Sequence, residues 1–129
     1  MRVIEILREI NMPQDVIEYY RAEGRLNEVV KIPEDEEIRE IVEAFKCLSN
    51  PIRLKLILLL SKPHCVCVLA RLSGYDVTLI SHHLAKLKKC NLVKAKPVAR
   101  ARIYVRNEEF LRELFTKLMV FFNVKISAT

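Results

Sequence analysis

The chain lacks tryptophan and has only two glycines and one glutamine, Gln14, in 129 residues. Two glycines cannot build a Gly-rich phosphate loop. No Gly-x-Ser-x-Gly or His-Glu-x-x-His stretch occurs either, so the short signatures of nucleotide, esterase and zinc-protease chemistry are missing and the reading is of a protein that is not an enzyme. No apolar run approaches the roughly 20 residues that span a bilayer, and Glu5 interrupts the stretch where a signal peptide would be apolar. A cytoplasmic protein with no membrane partner is expected. Scarce Gly and Gln beside abundant Lys, Glu, Ile, Leu and Val lean towards a thermophilic composition. What the chain does have is 51% hydrophobic residues, enough to bury a core.

The net charge of +6 hides an asymmetry. From Arg71 to Arg106 there are nine basic residues and one acid, Asp76, a local charge of +8; the rest of the chain sums to −2. Upstream, Glu34, Asp35, Glu36, Glu37, Glu40 and Glu43 form an acidic run. Charge runs are usually solvated faces, but one basic third in a polarised chain points to a polyanionic partner such as nucleic acid.

Periodicity divides the chain. Val3, Ile4, Ile6, Leu7 and Ile10 predict a first short helix. Asn11 with Pro13 opens a second, through Val16, Ile17, Tyr19 and Tyr20, ended by Gly24. Leu26 to Ile32 is ambiguous between strand and helix, and Pro33 breaks the chain. Residues 1–32 are read as an N-terminal helical extension and 33–129 as the main domain. There, a helix from about Glu34 to Leu48 places Ile38, Ile41, Val42 and Phe45 on one face. Asn50 and Pro51 then cap and open a helix to Leu60, apolar enough to read as a buried core helix with Arg53 and Lys55 as its polar face.

A short helix through Val66, Leu69, Ala70 and Leu72, a turn at Ser73 and Gly74, and a longer helix from Val77 to about Cys90 follow. That order is the helix-turn-helix pattern. Ile80, His83, Leu84 and Leu87 keep helical spacing on the longer helix, which makes His83 a core histidine. Thr78, Ser81, His82, Ala85, Lys86 and Lys89 face away, small and polar first and basic later, as on a helix whose first turns read base edges and whose later turns meet phosphates. After Asn91 the period becomes two. Leu92 to Lys96 and Arg102 to Arg106, with a turn over Pro97 to Arg100, predict a basic β-hairpin in which Lys94, Lys96, Arg100, Arg102 and Arg106 are candidate phosphate contacts. A last helix, Glu108 to Val124, carries more apolar surface than one face needs, so its partner is the core or a second subunit.

From Phe45 to Val105 the sequence resembles the ArsR/SmtB family of winged-helix repressors. The resemblance rests on Leu48-Ser49-Asn50-Pro51-Ile52-Arg53-Leu54, on Cys65-Val66-Cys67-Val68-Leu69-Ala70, on Ile80-Ser81-His82-His83-Leu84-Ala85-Lys86-Leu87, and on Leu92-Val93 leading into the wing. It implies a mainly α winged helix-turn-helix fold with a small β-hairpin. It also implies a homodimer through the first and last core helices, two recognition helices in successive major grooves of double-stranded DNA, and a repressor's role. The sequence departs from the family pattern at three points. Val68 stands where the metal motif often has Asp, the last helix has no histidine, and no Cys or His precedes Cys47.

Cys65 and Cys67 are the sharpest metal candidates, since thiolates favour thiophilic ions such as As(III), Zn(II), Cd(II) or Pb(II). Two residues apart on a helix they point nearly opposite ways, so chelation by both requires the helix start to unwind. A third donor would come from Cys47, Cys90 or His64. Packing, an intrachain disulfide and a redox-sensing disulfide stand as alternatives for the four cysteines, with packing the default for Cys47 and Cys90. The expected function is a dimeric DNA-binding regulator, with or without release by a thiophilic ion at Cys65 and Cys67. The reading from a different class is a winged-helix module for protein or RNA contacts.

Overall fold

The computed structural model describes residues 1–123 in two compact units, residues 1–34 and residues 35 onward. In the first, α1 (Val3–Glu9) and α2 (Gln14–Ala22) are joined by a turn in which Asn11 adopts φ 55°. Pro13 precedes α2 as its N-cap, and Gly24, at φ 69°, follows its end. The stretch from Leu26 to Ile32 is neither strand nor helix. Two backbone bonds hold part of it beside α1, Val3 N donating to Glu28 O and Ile4 N to Leu26 O, both at 2.9 Å.

The second unit runs α3 (Asp35–Leu48), α4 (Pro51–Leu59), β1 (His64–Cys65), α5 (Val66–Ser73), α6 (Val77–Lys89), β2 (Val93–Val98), β3 (Ala101–Arg106) and α7 (Glu108–Phe122). It is mainly helical, with an antiparallel sheet of order β1-β3-β2. Val124, the expected end of the last helix, lies outside the described residues.

Local chemistry sets the boundaries. The Asn50 side chain accepts from Ile52 N at 2.9 Å and Arg53 N at 3.1 Å, capping α4 with Pro51 in its first turn. Gly74, at φ 79°, ends α5 in the left-handed conformation that glycine tolerates best, and Asp76 caps α6 by accepting from Leu79 N at 2.8 Å. The hairpin turns on Ala99 and Arg100 between the paired residues Val98 and Ala101. Pro97 falls inside β2, which tolerates it because β2 is an edge strand.

Leu56, Leu60, Leu69, Ile80, Leu84, Leu87, Leu92 and Val93 are fully buried and tie α4, α5, α6 and the root of β2 into one core. A smaller cluster joins Ile41 and Ala44 of α3 to Leu114 of α7. The α4 helix is not the wholly buried helix its composition suggests: Leu54 is 45% exposed and Leu58 63%. Its supposed polar residue Arg53 points partly inward instead.

Candidate nucleic-acid interface

Burial of Ile80, His83, Leu84 and Leu87 fixes the rotation of α6, and that rotation leaves Thr78, Ser81, His82, Lys86 and Lys89 exposed. The face therefore follows from the core stripe. Lys94, Lys96, Arg100 and Arg102 are exposed on the hairpin. None of these six cations takes part in a salt bridge among the described residues, and the one acid of this stretch, Asp76, is occupied as a helix cap. The positive charge is uncompensated locally.

Arg106 departs from the expected set. Its Nε donates to Glu108 Oε1 at 2.6 Å and its Nη1 to Ile57 O at 3.3 Å. It sits half-buried at the foot of the hairpin and ties β3 to α4 and α7, because β3 runs back into the core at that end. Its part is structural rather than that of a free phosphate contact.

Arg53 braces α6 from its buried side. Its Nε donates to Cys47 O at 2.6 Å, closing the end of α3, while its Nη1 lies 3.4 Å from His83 Nδ1. A guanidinium has only donors, so Nδ1 accepts and the neutral imidazole carries its proton on Nε2. Burial holds the His83 pKa below the ordinary histidine value, and the positive charges of Arg53, His82 and Lys86 push it the same way. The unfolded chain therefore binds more protons than the folded one once pH falls to about 6.5. Stability is fully present above that pH and is lost as pH falls through it. Urea midpoints at pH 7.5 and 5.5 check this. His83→Asn, which keeps an acceptor for Arg53, is expected to flatten the difference.

Asn107 was not singled out by sequence reasoning. It is 7% exposed. Its Nδ2 donates to Asn91 O at 3.0 Å and to Asn91 Oδ1 at 3.2 Å, while its own Oδ1 accepts from Phe110 N at 3.2 Å and caps α7. Asn91, at φ 64°, turns the chain out of α6. The clasp brings the two ends of the hairpin together and sets where it leaves the helix; the one available signal was an Asn just before an acidic helix start.

The cysteines divide into two pairs. Cys47 and Cys90 form a disulfide, with Cα atoms 6.6 Å apart, which removes both as weak metal candidates: sulfurs bonded to each other are not thiolate ligands. It also replaces the packing role expected for them. Cys65 is half-buried and Cys67 exposed, both free. Cys65 is the extended N-cap of α5 and Cys67 lies in its first turn, so the two do not stand as i and i+2 of one regular helix. His64, next to Cys65, pairs with Tyr104 across β1 and β3. No group of three or more His, Cys, Asp or Glu suited to a metal ion occurs among the described residues, so two thiols from one chain do not by themselves make a complete three-donor site. No helix among those residues is long and apolar enough to cross a membrane.

A short helix, a glycine-ended turn, a longer helix and a basic hairpin define a winged helix-turn-helix protein. Residues 50–95 match the family profile described as bacterial regulatory protein, arsR family. A cadmium resistance transcriptional regulatory protein, CadC homolog, from Staphylococcus aureus is 28% identical over 109 residues, which is 82% of this chain and 90% of the relative. Among solved structures, NolR from Sinorhizobium fredii is 29% identical with a TM-score of 0.53, over 75% of this chain and 99% of its own. The homodimeric winged helix-turn-helix DNA-binding domain of Mb0332 from Mycobacterium bovis shares the fold at 24% identity and a TM-score of 0.57, over 73% and 91%. The chain thus has the winged helix-turn-helix fold, and its residues 50–95 are similar to the arsR family of bacterial regulatory proteins.

Proposed function

We propose that the chain acts as a homodimeric repressor that sets α6 of each subunit into successive major grooves of double-stranded DNA. The observation that carries this reading is the uncompensated positive face shared by α6 and the hairpin. Ser81 and His82, with Thr78 at the helix start, are assigned to base edges. Lys86 and Lys89 on the helix, and Lys94, Lys96, Arg100 and Arg102 on the hairpin, are assigned to phosphates. The dimer is assigned to α3 and α7. Ile38, Val42 and Phe45 on α3, and Phe115, Val120 and Phe122 on α7, are large apolar residues between 40% and 69% exposed, more than an isolated surface leaves to water without a partner. Selection from random duplexes at low salt is expected to enrich an imperfect palindrome whose half-sites lie about one helical turn, or a multiple of it, apart. Enrichment of no palindrome would instead favour a winged-helix module for protein or RNA contacts.

A second reading, release by a thiophilic ion at Cys65 and Cys67, is favoured by the exposure of Cys67 beside a Cys65 that lies outside the helix. It is consistent with the name of the Staphylococcus aureus relative. Titrating Cd(II), As(III) and Zn(II) into reduced protein on its selected duplex is expected to release DNA with at least one ion, and Cys65→Ser with Cys67→Ser is expected to abolish the response. A double variant that responds like the parent removes this pair from sensing.

A further inference from the structure

A cleft of about 630 Å³ opens beside the Cys47–Cys90 bond. Arg39, Glu43, Lys89, Cys90 and Phe110 are among its lining residues, and Cys47 is not. The two sulfurs are unequal in access: Cys90 is half-buried at the end of α6, while Cys47 is 5% exposed in the core. Thiol exchange proceeds by attack in line with the S–S bond, from the side opposite the departing sulfur. The cleft reaches Cys90, whereas the core covers Cys47. Arg39 and Lys89 on the cleft wall are matched in number by Glu40 and Glu43, so the wall selects no charge. At about 100° per residue, Arg39 and Glu43 lie on the side of α3 away from Ile38, Val42 and Phe45, so the apolar face assigned to the dimer does not include the cleft.

The released sulfur also has a place to go. Cys47 Sγ lies 3.7 Å from Lys86 O, within reach for a thiol to donate, so the bond can open without leaving a buried thiol unpartnered.

We propose that Cys90 is a site of reversible S-thiolation by a small thiol that enters this cleft, with Cys47 as the resolving thiol. The thiolate RS⁻ forms a new S–S bond to Cys90 as the Cys90–Cys47 bond breaks, and the electron pair of that bond leaves on Cys47, which takes up a proton. No net oxidation occurs in this step. In the reverse step the Cys47 thiolate attacks Cys90 and expels RS⁻. Attack by a second RS⁻ on the thiol-derived sulfur instead gives the disulfide RSSR and leaves both protein cysteines reduced, a two-electron transfer from the small thiols.

The test uses the oxidised full chain carrying Cys65→Ala and Cys67→Ala, exposed to reduced glutathione under nitrogen, quenched with acid, alkylated and mapped by peptide mass spectrometry. Glutathione is expected on Cys90 and the alkyl label on Cys47, at denaturant concentrations well below unfolding. Glu43→Trp, which fills the cleft from its exposed wall, is expected to slow glutathione severalfold. Adding Cys47→Ala and supplying oxidised glutathione is expected to give a Cys90 adduct that persists. Glutathione found mainly on Cys47, or reaching Cys90 only when the chain unfolds, overturns the proposal. An unchanged rate in Glu43→Trp overturns entry through the cleft. The peptide map of the chain with an intact Cys47–Cys90 pair decides the attacked sulfur even if a further variant fails to fold.

Discussion

Reducing the Cys47–Cys90 disulfide is expected to lower the stability of the chain by about 4 kcal/mol, because the bond closes a long loop and removes that loop's entropy from the unfolded ensemble. The cysteines are 43 positions apart, between the loop lengths for which the same account gives about 3 and 4.7 kcal/mol. For a domain of this size the loss corresponds to a fall in Tm on the order of 20 °C. Urea unfolding with and without a strong reductant measures it. The double variant Cys47→Ala, Cys90→Ala is expected to behave like the reduced parent, whereas Cys65→Ala, Cys67→Ala is expected to respond to reductant as the parent does. A change under about 1 kcal/mol would show that the bond constrains little in the unfolded chain. A bond of this kind suits a thermophilic composition, since cytosolic disulfides are otherwise uncommon.

Reversing the charge of Lys86 and Lys89 together is expected to weaken duplex binding by a factor of about 100 or more at moderate salt. Both lysines are exposed and without a salt bridge among the described residues. Each phosphate contact contributes about −0.9 to the slope of log K against log salt. Replacing both by alanine is therefore expected to make the slope shallower by roughly 2, with all sequences weakened alike. His82→Ala is expected to act differently, changing base preference and leaving the slope nearly unaltered. Anisotropy titrations on the selected duplex and a scrambled one, over a range of salt, separate the two effects. Equal loss of sequence preference in both variants would undo the assignment of phosphate and base roles.

These outcomes rest on features that differ in how far a sequence reveals them. The exposed face of α6 was legible because one buried stripe fixes a helix's rotation, and Asp76 and Gly74 mark its start and the preceding turn by local chemistry. The hairpin was legible from its period of two, although its strands reach closer to the turn than expected, leaving Ala99 and Arg100 between them. The two-residue strand β1 was not, since His64 and Cys65 are too short a stretch to show a period and pair only through contact with β3. Long-range partners were equally hidden. Glu108, two residues on, is local to Arg106, but nothing in the sequence shows that Arg106 also reaches Ile57 O, 49 positions away, while Arg102 stays exposed. Cys47 sits in α3 and Cys90 just past the end of α6, and only the packing of α3 beside that end brings them within bonding reach.

The Cys47–Cys90 bond makes a covalent ring of the chain between its ends. That ring holds α4, β1, α5 and α6, while the β2–β3 hairpin and α7 hang from it as a tail. A single backbone cut within the ring, for example after Lys62 in the exposed turn before β1, leaves the two pieces joined through sulfur. Such a nicked molecule keeps its full mass on a gel run without reductant and separates only when the bond is reduced, whereas a cut in the hairpin separates at once in denaturant.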